Sequence, residues 1–369
     1  MSIRNINEKD IIVCYSNLPT GGASELYKLN IGYLGKKAKV IEITDSKLHP
    51  KNIINYLFIC LLELPKLHRM LANGFKEKPK VLIGYHSWLT KSPYIFRYLS
   101  IPKIYICQEL MREYYDSIHI INQNIIERLI NFIRLPIKYV DRKNLKSSNL
   151  TVVVNSSFSK AMVDKAYHVS STVIYPGINT ALYKVKGLIK KRNQIISVGA
   201  ISKLKRYNFI LHVISKINRS IRPKLVIVGN GADIEYLNSL KKLAIKLEVL
   251  LDCKINLSRS LLIKEYLMSK FLIYAPVNEP FGIVVEEAMA ARLPLVVYQN
   301  GGGYAEILSK ENGLIINNLS TKKWANQIEK LLSNQKLLEQ YGKYNVSYVN
   351  KKYTAKIMND NLWKTIQSI

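Results

Sequence analysis

Acidic residues are scarce in this chain. Its 26 Asp and Glu stand against 55 Lys and Arg in 369 residues, a formal charge of +29. Such an excess attracts polyanions, whether nucleotides, anionic lipid surfaces or nucleic acid, without choosing among them. Lys, Ile, Asn and Tyr are all abundant, as an AT-rich coding sequence would make them, so part of the excess is compositional. Cysteine is nearly absent. Cys14, Cys60, Cys107 and Cys253 lie in apolar surroundings without CxxC spacing, which argues against a disulfide scaffold or zinc ribbon and reads as free thiols in a reducing cytoplasm. Long apolar runs are missing too: the longest uncharged one, Tyr56 to Leu62, is too short to span a bilayer. Charges of both signs precede the first apolar run, unlike a signal peptide. Asp-x-Asp pairs and His or Cys clusters with metal spacing are absent, so no metal or other cofactor is expected. Ile234 stands where a dinucleotide fingerprint would need its third glycine after GNGAD (Gly229 to Asp233), which argues against NAD. No RRM, helix-turn-helix or zinc-finger pattern supports a nucleic-acid partner.

What is there is a double series of short β-prone runs alternating with helical stretches, the pattern of parallel α/β sheets. Strands are expected at Ile11–Ser16, Lys39–Ile43, Lys80–Tyr85, Lys103–Cys107, Leu150–Asn155 and Thr172–Tyr175. An irregular Lys-rich stretch to about Gln194 reads as a linker. A second series starts at Gln194–Val198 and continues through Lys224–Val228, Leu247–Cys253, Phe271–Ala275 and Leu293–Tyr298, and 321–352 reads as helical. The length suits two domains.

Polar groups collect where these strands end. Gly21 and Gly22 follow the first strand in NLPTGGA, where backbone N–H groups can meet a diphosphate. His86 follows the third, and for a lone strand-end histidine a structural reading stands beside a catalytic one. Gln108, Glu109 and Arg112 follow the fourth; Gly199, Lys203, Lys205 and Arg206 follow the first strand of the second series. The richest stretch is FLIYAPVNEPFGIVVEEAMAARLPLVVYQNGGGYAE, Phe271 to Glu306. It reads as strand, turn, helix from Gly282 to Ala291, strand, and a flexible loop at Gly301–Gly303. The unpaired N–H groups at such a helix start suit phosphate or sugar hydroxyls. Glu279 and Glu287, with seven residues between them, can both face the carboxyl ends of the strands, where α/β sheets bind ligands. Asn124 to Val140, with Arg128, Arg134 and Lys138, reads either as a basic amphipathic helix for an anionic membrane surface or as a domain helix with a basic outer face.

These landmarks together resemble the retaining glycosyltransferases of family 4. EPFGIVVEEAMA, Glu279 to Ala290, matches that family's E-x7-E signature; Pro294, Gly301–Gly303 and Glu306 match its downstream residues. VVVNSSFSK, VIYPGIN and ISVGAISKLKRYN resemble the domain junction. The resemblance implies the α/β GT-B fold: two Rossmann-like domains facing across a cleft, an acceptor-side domain at 1–180 and a donor-binding domain at 181–349, with a final helix at about 350–369 crossing back to the first. It implies transfer of a sugar, with retention and without metal, from a UDP- or GDP-sugar to a glycan, lipid or protein-linked acceptor. Lys205 matches the lysine that contacts the donor diphosphate, Gly21 and Gly22 the loop that approaches it, and Glu287 the acid on the ribose. Glu279, with the backbone of Phe281, Gly282 and Ile283, matches the group that holds the sugar. Gly199 and Arg206 flank the diphosphate contact. Glu279, Lys205 and His86 are thus the candidate catalytic residues, and Gln108, Glu109 and Arg112 the candidate acceptor or sugar contacts. The chain departs from the family where Ala200 replaces an arginine, Arg292 a glycine and Gln108 a histidine; Gln108 can bind a hydroxyl but cannot shuttle a proton. Two alternatives follow: a nucleotide-sugar-binding protein with impaired catalysis, and a nucleotide-sugar 2-epimerase, against which the E-x7-E signature argues. The expected setting is cytoplasmic, peripheral at the inner membrane face.

Overall fold

The structure, a computed structural model, describes residues 6–18, 21–121, 123–184 and 190–369. Pro19 and Thr20 of the first glycine loop and 185–189 of the expected linker lie outside them. The chain divides into two compact units, Met1–Tyr175 with Met358–Ile369, and Pro176–Ile357.

In the first unit, β1 (Ile11–Asn17), β2 (Lys39–Ile43), β3 (Val81–Ser87), β4 (Lys103–Cys107), β5 (Leu150–Val154) and β6 (Thr172–Val173) form a parallel sheet in the order β2-β1-β3-β4-β5-β6. Every residue of β3 and β4 is buried, which is why they read as unbroken apolar runs: helices cover both faces of a parallel sheet. The helices of this unit are α1 (Gly22–Leu34), α2 (Ile53–Phe58), α3 (Leu64–Asn73), α4 (Arg112–Tyr115), α5 (Ser117–Ile121), α6 (Ile125–Ile133), α7 (Leu135–Asn144) and α8 (Ser157–Tyr167). A π-helical turn at Ile59–Glu63 joins α2 to α3. The helix expected over Asn124–Val140 is two, since Arg134 ends α6 and Pro136, lacking an N–H, opens α7.

In the second unit, β7 (Gln194–Val198), β8 (Lys224–Gly229), β9 (Leu251–Ile255), β10 (Leu272–Tyr274), β11 (Leu295–Tyr298) and β12 (Gly313–Ile316) are again parallel, in the order β12-β11-β10-β7-β8-β9. Helices α9 (Tyr207–Ser215), α10 (Ile234–Lys246), α11 (Arg259–Met268), α12 (Val284–Ala290), α13 (Thr321–Leu332) and α14 (Gln335–Lys352) pack on it. The third strand starts at Leu251, not Leu247, because α10 runs on to Lys246 and Leu247 caps it. The helical stretch from Thr321 breaks at Ser333–Asn334, where the Asn334 side chain accepts from the Leu337 N–H and starts α14. The last helix, α15 (Ala355–Ser368), returns to the first unit. Its Leu362 and Ile366 are buried with Ile12, Cys14 and Leu34, and Tyr33 donates to Asp360 at 2.8 Å.

Each sheet has one place where the chain reverses its direction of strand addition. In the first it lies between β1 and β3, and in the second between β7 and β10. Loops leaving two such strands diverge, and the crevice they leave at the strands' carboxyl ends is where open α/β sheets take ligands.

A buried amide ties α14 to the second sheet. Asn345 donates to the carbonyls of Leu293 (2.8 Å) and Asn312 (3.0 Å) and accepts from Asn312 Nδ2 (2.7 Å). Asn345→Ala leaves these partners buried and unsatisfied, and should cost about 1–3 kcal/mol, read as a lower urea midpoint at unchanged m-value.

Candidate functional site

The reversal in the second sheet brings Lys205 and Glu279 together. Lys205 lies in the turn after β7, and Glu279 in the loop after β10. Lys205 Nζ donates to Glu279 Oε2 and to the Tyr274 hydroxyl, the latter at 3.4 Å. The ammonium also stands 5.7 Å from the centre of the Tyr274 ring, adding a cation–π attraction. Both partners are mostly shielded, with side-chain exposures of 16% and 13%, so the pair is screened less than a surface ion pair.

The backbone holds this arrangement in place. The Glu279 N–H donates to the Gly301 carbonyl at 2.8 Å, and the Gly303 N–H donates to the Glu279 carbonyl at 2.8 Å. The run expected to be a flexible loop is therefore a clamp: Gly301 and Gly303 are buried, and Gly303 begins a 3-10 turn. Gly282 has φ +82°, and a Cβ there would stand 3.2 Å from Glu279 Cγ and 3.3 Å from the Tyr274 ring. Gly199, at the end of β7, lies under the Lys205 stem and accepts from the Tyr207 hydroxyl at 3.0 Å. The left-handed turn at Gly282 delays the helix: α12 starts at Val284 with Ile283 as its N-cap, and Phe281 is buried. Arg206 sits over the Tyr298 ring at 5.7 Å, with Nη1 buried and without a hydrogen-bond partner. Lys203 and Ala200 are exposed.

Glu287 is buried on α12 and held at both oxygens. Arg259 donates to Oε1 and Tyr266 to Oε2, the latter at 2.9 Å, while Arg259 also donates to Tyr183 at 2.8 Å. Two carboxylate lone-pair directions remain for hydroxyl donors. Tyr274, Arg259, Tyr266 and Tyr183 escaped the sequence reading. Tyr274 sat inside the quoted stretch as a strand residue, whereas Arg259 carries no local signal, its partner being 28 positions away.

The reversal in the first sheet gathers a second set. Gly21 has φ 148°, exchanges hydrogen bonds with Ser24 and caps α1, of which Gly22 is the first residue. His86 is the penultimate residue of β3, next to Ser87, which pairs with Asn17. It is buried, its Nδ1 has no partner, and burial with the nearby Lys91 charge pushes its imidazole down to about 3. At neutral pH it is an uncharged hydrogen-bonding group. Gln108 follows β4, nearly buried; its carbonyl accepts from Asn155 at 3.0 Å and its side-chain Oε1 is unpartnered. Arg112 donates from Nε (3.0 Å) and Nη2 (2.7 Å) to Asp116, and stands 3.8 Å from Glu109, which also faces Lys91 at 3.7 Å. Among the described residues no cluster of three His, Cys, Asp or Glu could hold a metal ion.

Two parallel-sheet units, with a basic and acidic pair at the second sheet's reversal, define a GT-B-type α/β protein. Residues 179–347, within the second unit, match the family model described as "Glycosyl transferases group 1". It is similar to the alpha-1,3/1,6-mannosyltransferase ALG2 of Rhizomucor pusillus, at 24% identity over 62% of this chain and 60% of that one. It is also similar to the uncharacterized glycosyltransferase MJ1607 of Methanocaldococcus jannaschii, at 30% identity over 52% and 51%. The chain thus spans between half and two thirds of these relatives. Its fold is that of HepE from Anabaena, solved with UDP and glucose: TM-score 0.72 at 14% identity, covering 98% of this chain and 100% of that one.

Glu286, the neighbour of Glu287, has no such partners. It is fully buried and neither carboxyl oxygen makes a hydrogen bond. Burial, then the adjacent Glu287 charge, raises its pKa well above the usual carboxylate range. A raised folded-state pKa means stability is fully present below the unfolded value, near 4.3, and is lost as pH rises toward the folded one. Glu286→Leu removes both unpaired oxygens and should stabilise the protein by about 1–3 kcal/mol at neutral pH. Melting temperatures of the two proteins should converge toward pH 4 and separate toward pH 8.

Proposed function

We propose that the chain transfers a glycosyl group from a UDP- or GDP-sugar to a hydroxyl of a glycan, lipid-linked or protein-linked acceptor, with retention at the anomeric carbon and without a metal ion. The observation that carries this reading is the Lys205–Glu279 pair, clamped at the reversal of the second sheet with Arg206 Nη1 buried and unpartnered nearby. The match of residues 179–347 to the glycosyltransferase family model supports it, as does the likeness in fold to a protein solved with UDP and glucose.

In this reading the donor's diphosphate takes up Lys205 and Arg206, whose cations offset the negative charge that grows as the sugar leaves. Glu279 and the Phe281–Ile283 backbone hold the sugar, and Glu287, oriented by Arg259 and Tyr266, accepts from the ribose hydroxyls. The bond from the anomeric carbon to the phosphate oxygen breaks while the acceptor oxygen bonds on the same face. The departing phosphate oxygen takes the acceptor's proton, so no imidazolium is required, in keeping with a neutral His86. Charge stabilisation by side chains removes the need for a divalent cation.

A second reading, a nucleotide-sugar-binding protein without turnover, draws on Ala200, which supplies no cation to the phosphate, and on Gln108, which cannot shuttle a proton. Nucleotide release from a panel of UDP- and GDP-sugars separates the two. Turnover should persist in EDTA, and Lys205→Ala should lower kcat roughly 10²–10³-fold, with Glu279→Gln also impaired. Thermal shifts without nucleotide release under every acceptor would favour the binding protein, and an inverted product anomer would overturn retention.

A further inference from the structure

Helix α6 has an unusual relation to its own unit. Its nine residues, IIERLINFI, include six large apolar side chains, and not one residue of the helix is buried. Ile125, Ile126, Leu129 and Phe132 are 85%, 69%, 59% and 69% exposed. Spacings of one, four and seven residues set them along one stripe, with Glu127, Arg128 and Asn131 completing the circumference. The helix is well formed all the same. Asn124 and Glu127 make a reciprocal capping box at 2.8 Å each way, and Tyr114 donates to the Asn131 carbonyl at 2.6 Å. An apolar stripe on an ordered, anchored helix that touches no core calls for an external apolar phase.

The surroundings say which kind. Arg134, between α6 and α7, stacks on Tyr56 of α2 at 5.0 Å and donates to its hydroxyl at 3.2 Å. The α2–α3 segment is therefore a neighbour, and it also exposes large apolar side chains, among them Ile54, Phe58 and Leu62. From Lys47 to Met70 that segment holds Lys47, Lys51, Lys66 and Arg69, all exposed, against the single acid Glu63. Arg128 adds a further exposed cation on α6 itself. A second copy of so basic a surface would be repelled, whereas an anionic lipid surface is complementary in both charge and polarity. At about 14 Å in length α6 cannot cross a hydrocarbon core of about 30 Å, and no described helix is long and apolar enough to do so.

We propose that α6, with the basic apolar α2–α3 segment beside it, is the membrane-docking surface of this protein, lying in the interface of an anionic bilayer with its apolar stripe among the acyl chains. This stands independently of the sugar chemistry and depends on neither Lys205 nor Glu279. Co-sedimentation of the full chain with vesicles tests it, using phosphatidylcholine alone and phosphatidylcholine containing phosphatidylglycerol. The wild type should partition to the anionic vesicles. The triple variant Ile126→Ser/Leu129→Ser/Phe132→Ser should lose roughly tenfold or more of that affinity with its melting temperature unchanged, since those side chains face solvent. Lys66→Glu/Arg69→Glu should weaken binding to anionic vesicles and leave binding to neutral ones unaltered. Absence of wild-type binding to anionic vesicles would overturn the proposal, as would undiminished binding of the triple variant. A wild-type dimer in light scattering that the triple variant abolishes, with vesicles ignored, would assign the stripe to a second copy instead.

Discussion

The bond between Lys205 and Glu279 joins positions 74 residues apart, and much of the second unit serves to bring them together. It forms because β10 pairs beside β7 after the chain has already built β8 and β9 on the other side. The loops leaving β7 and β10 then diverge from adjacent strand ends, leaving room for charged side chains between them. An ammonium and a carboxylate mostly removed from water would be costly if either stood alone. Together, with the Tyr274 hydroxyl and ring beneath them, they are compensated. The same compensation keeps the cation in place close to a polar turn at the sheet reversal.

The local backbone is shaped to that end. Gly282 turns left-handed where a side chain would press on Glu279 and Tyr274, and the Gly301–Gly303 run holds Glu279 by its own N–H and carbonyl. Glu287 is fixed at both oxygens. Glu286, one residue earlier, is left buried without a partner. One helix thus carries an acid held at both oxygens and an unsatisfied one side by side, a cost in stability tolerated at the edge of the candidate site.

The first unit solves its problem differently. Its sheet reversal collects neutral or mutually engaged groups: a buried uncharged His86, an amide at Gln108, and an Arg112 occupied by Asp116 and Glu109. Its excess basic charge lies outward, around α6, of which no residue is buried, and the α2–α3 segment, which exposes Ile54, Phe58 and Leu62. Burial and exposure there divide two roles that share one composition.

Much of this was legible in the sequence. Buried parallel strands are short, apolar and β-branched, so β2, β4 and β7 could be read with their actual ends, and the E-x7-E spacing with its glycines marked the candidate donor stretch. Local chemistry fixes such features: strand propensity, turn residues and capping act within a few residues. Strand order, the Arg259–Glu287 and Lys205–Glu279 pairs, the clamp made by Gly301–Gly303 and the unpartnered state of Glu286 could not be read that way. Each depends on which distant segments the sheet brings side by side, and whether an apolar stripe such as that of α6 is covered or bare is decided only when the whole unit has packed.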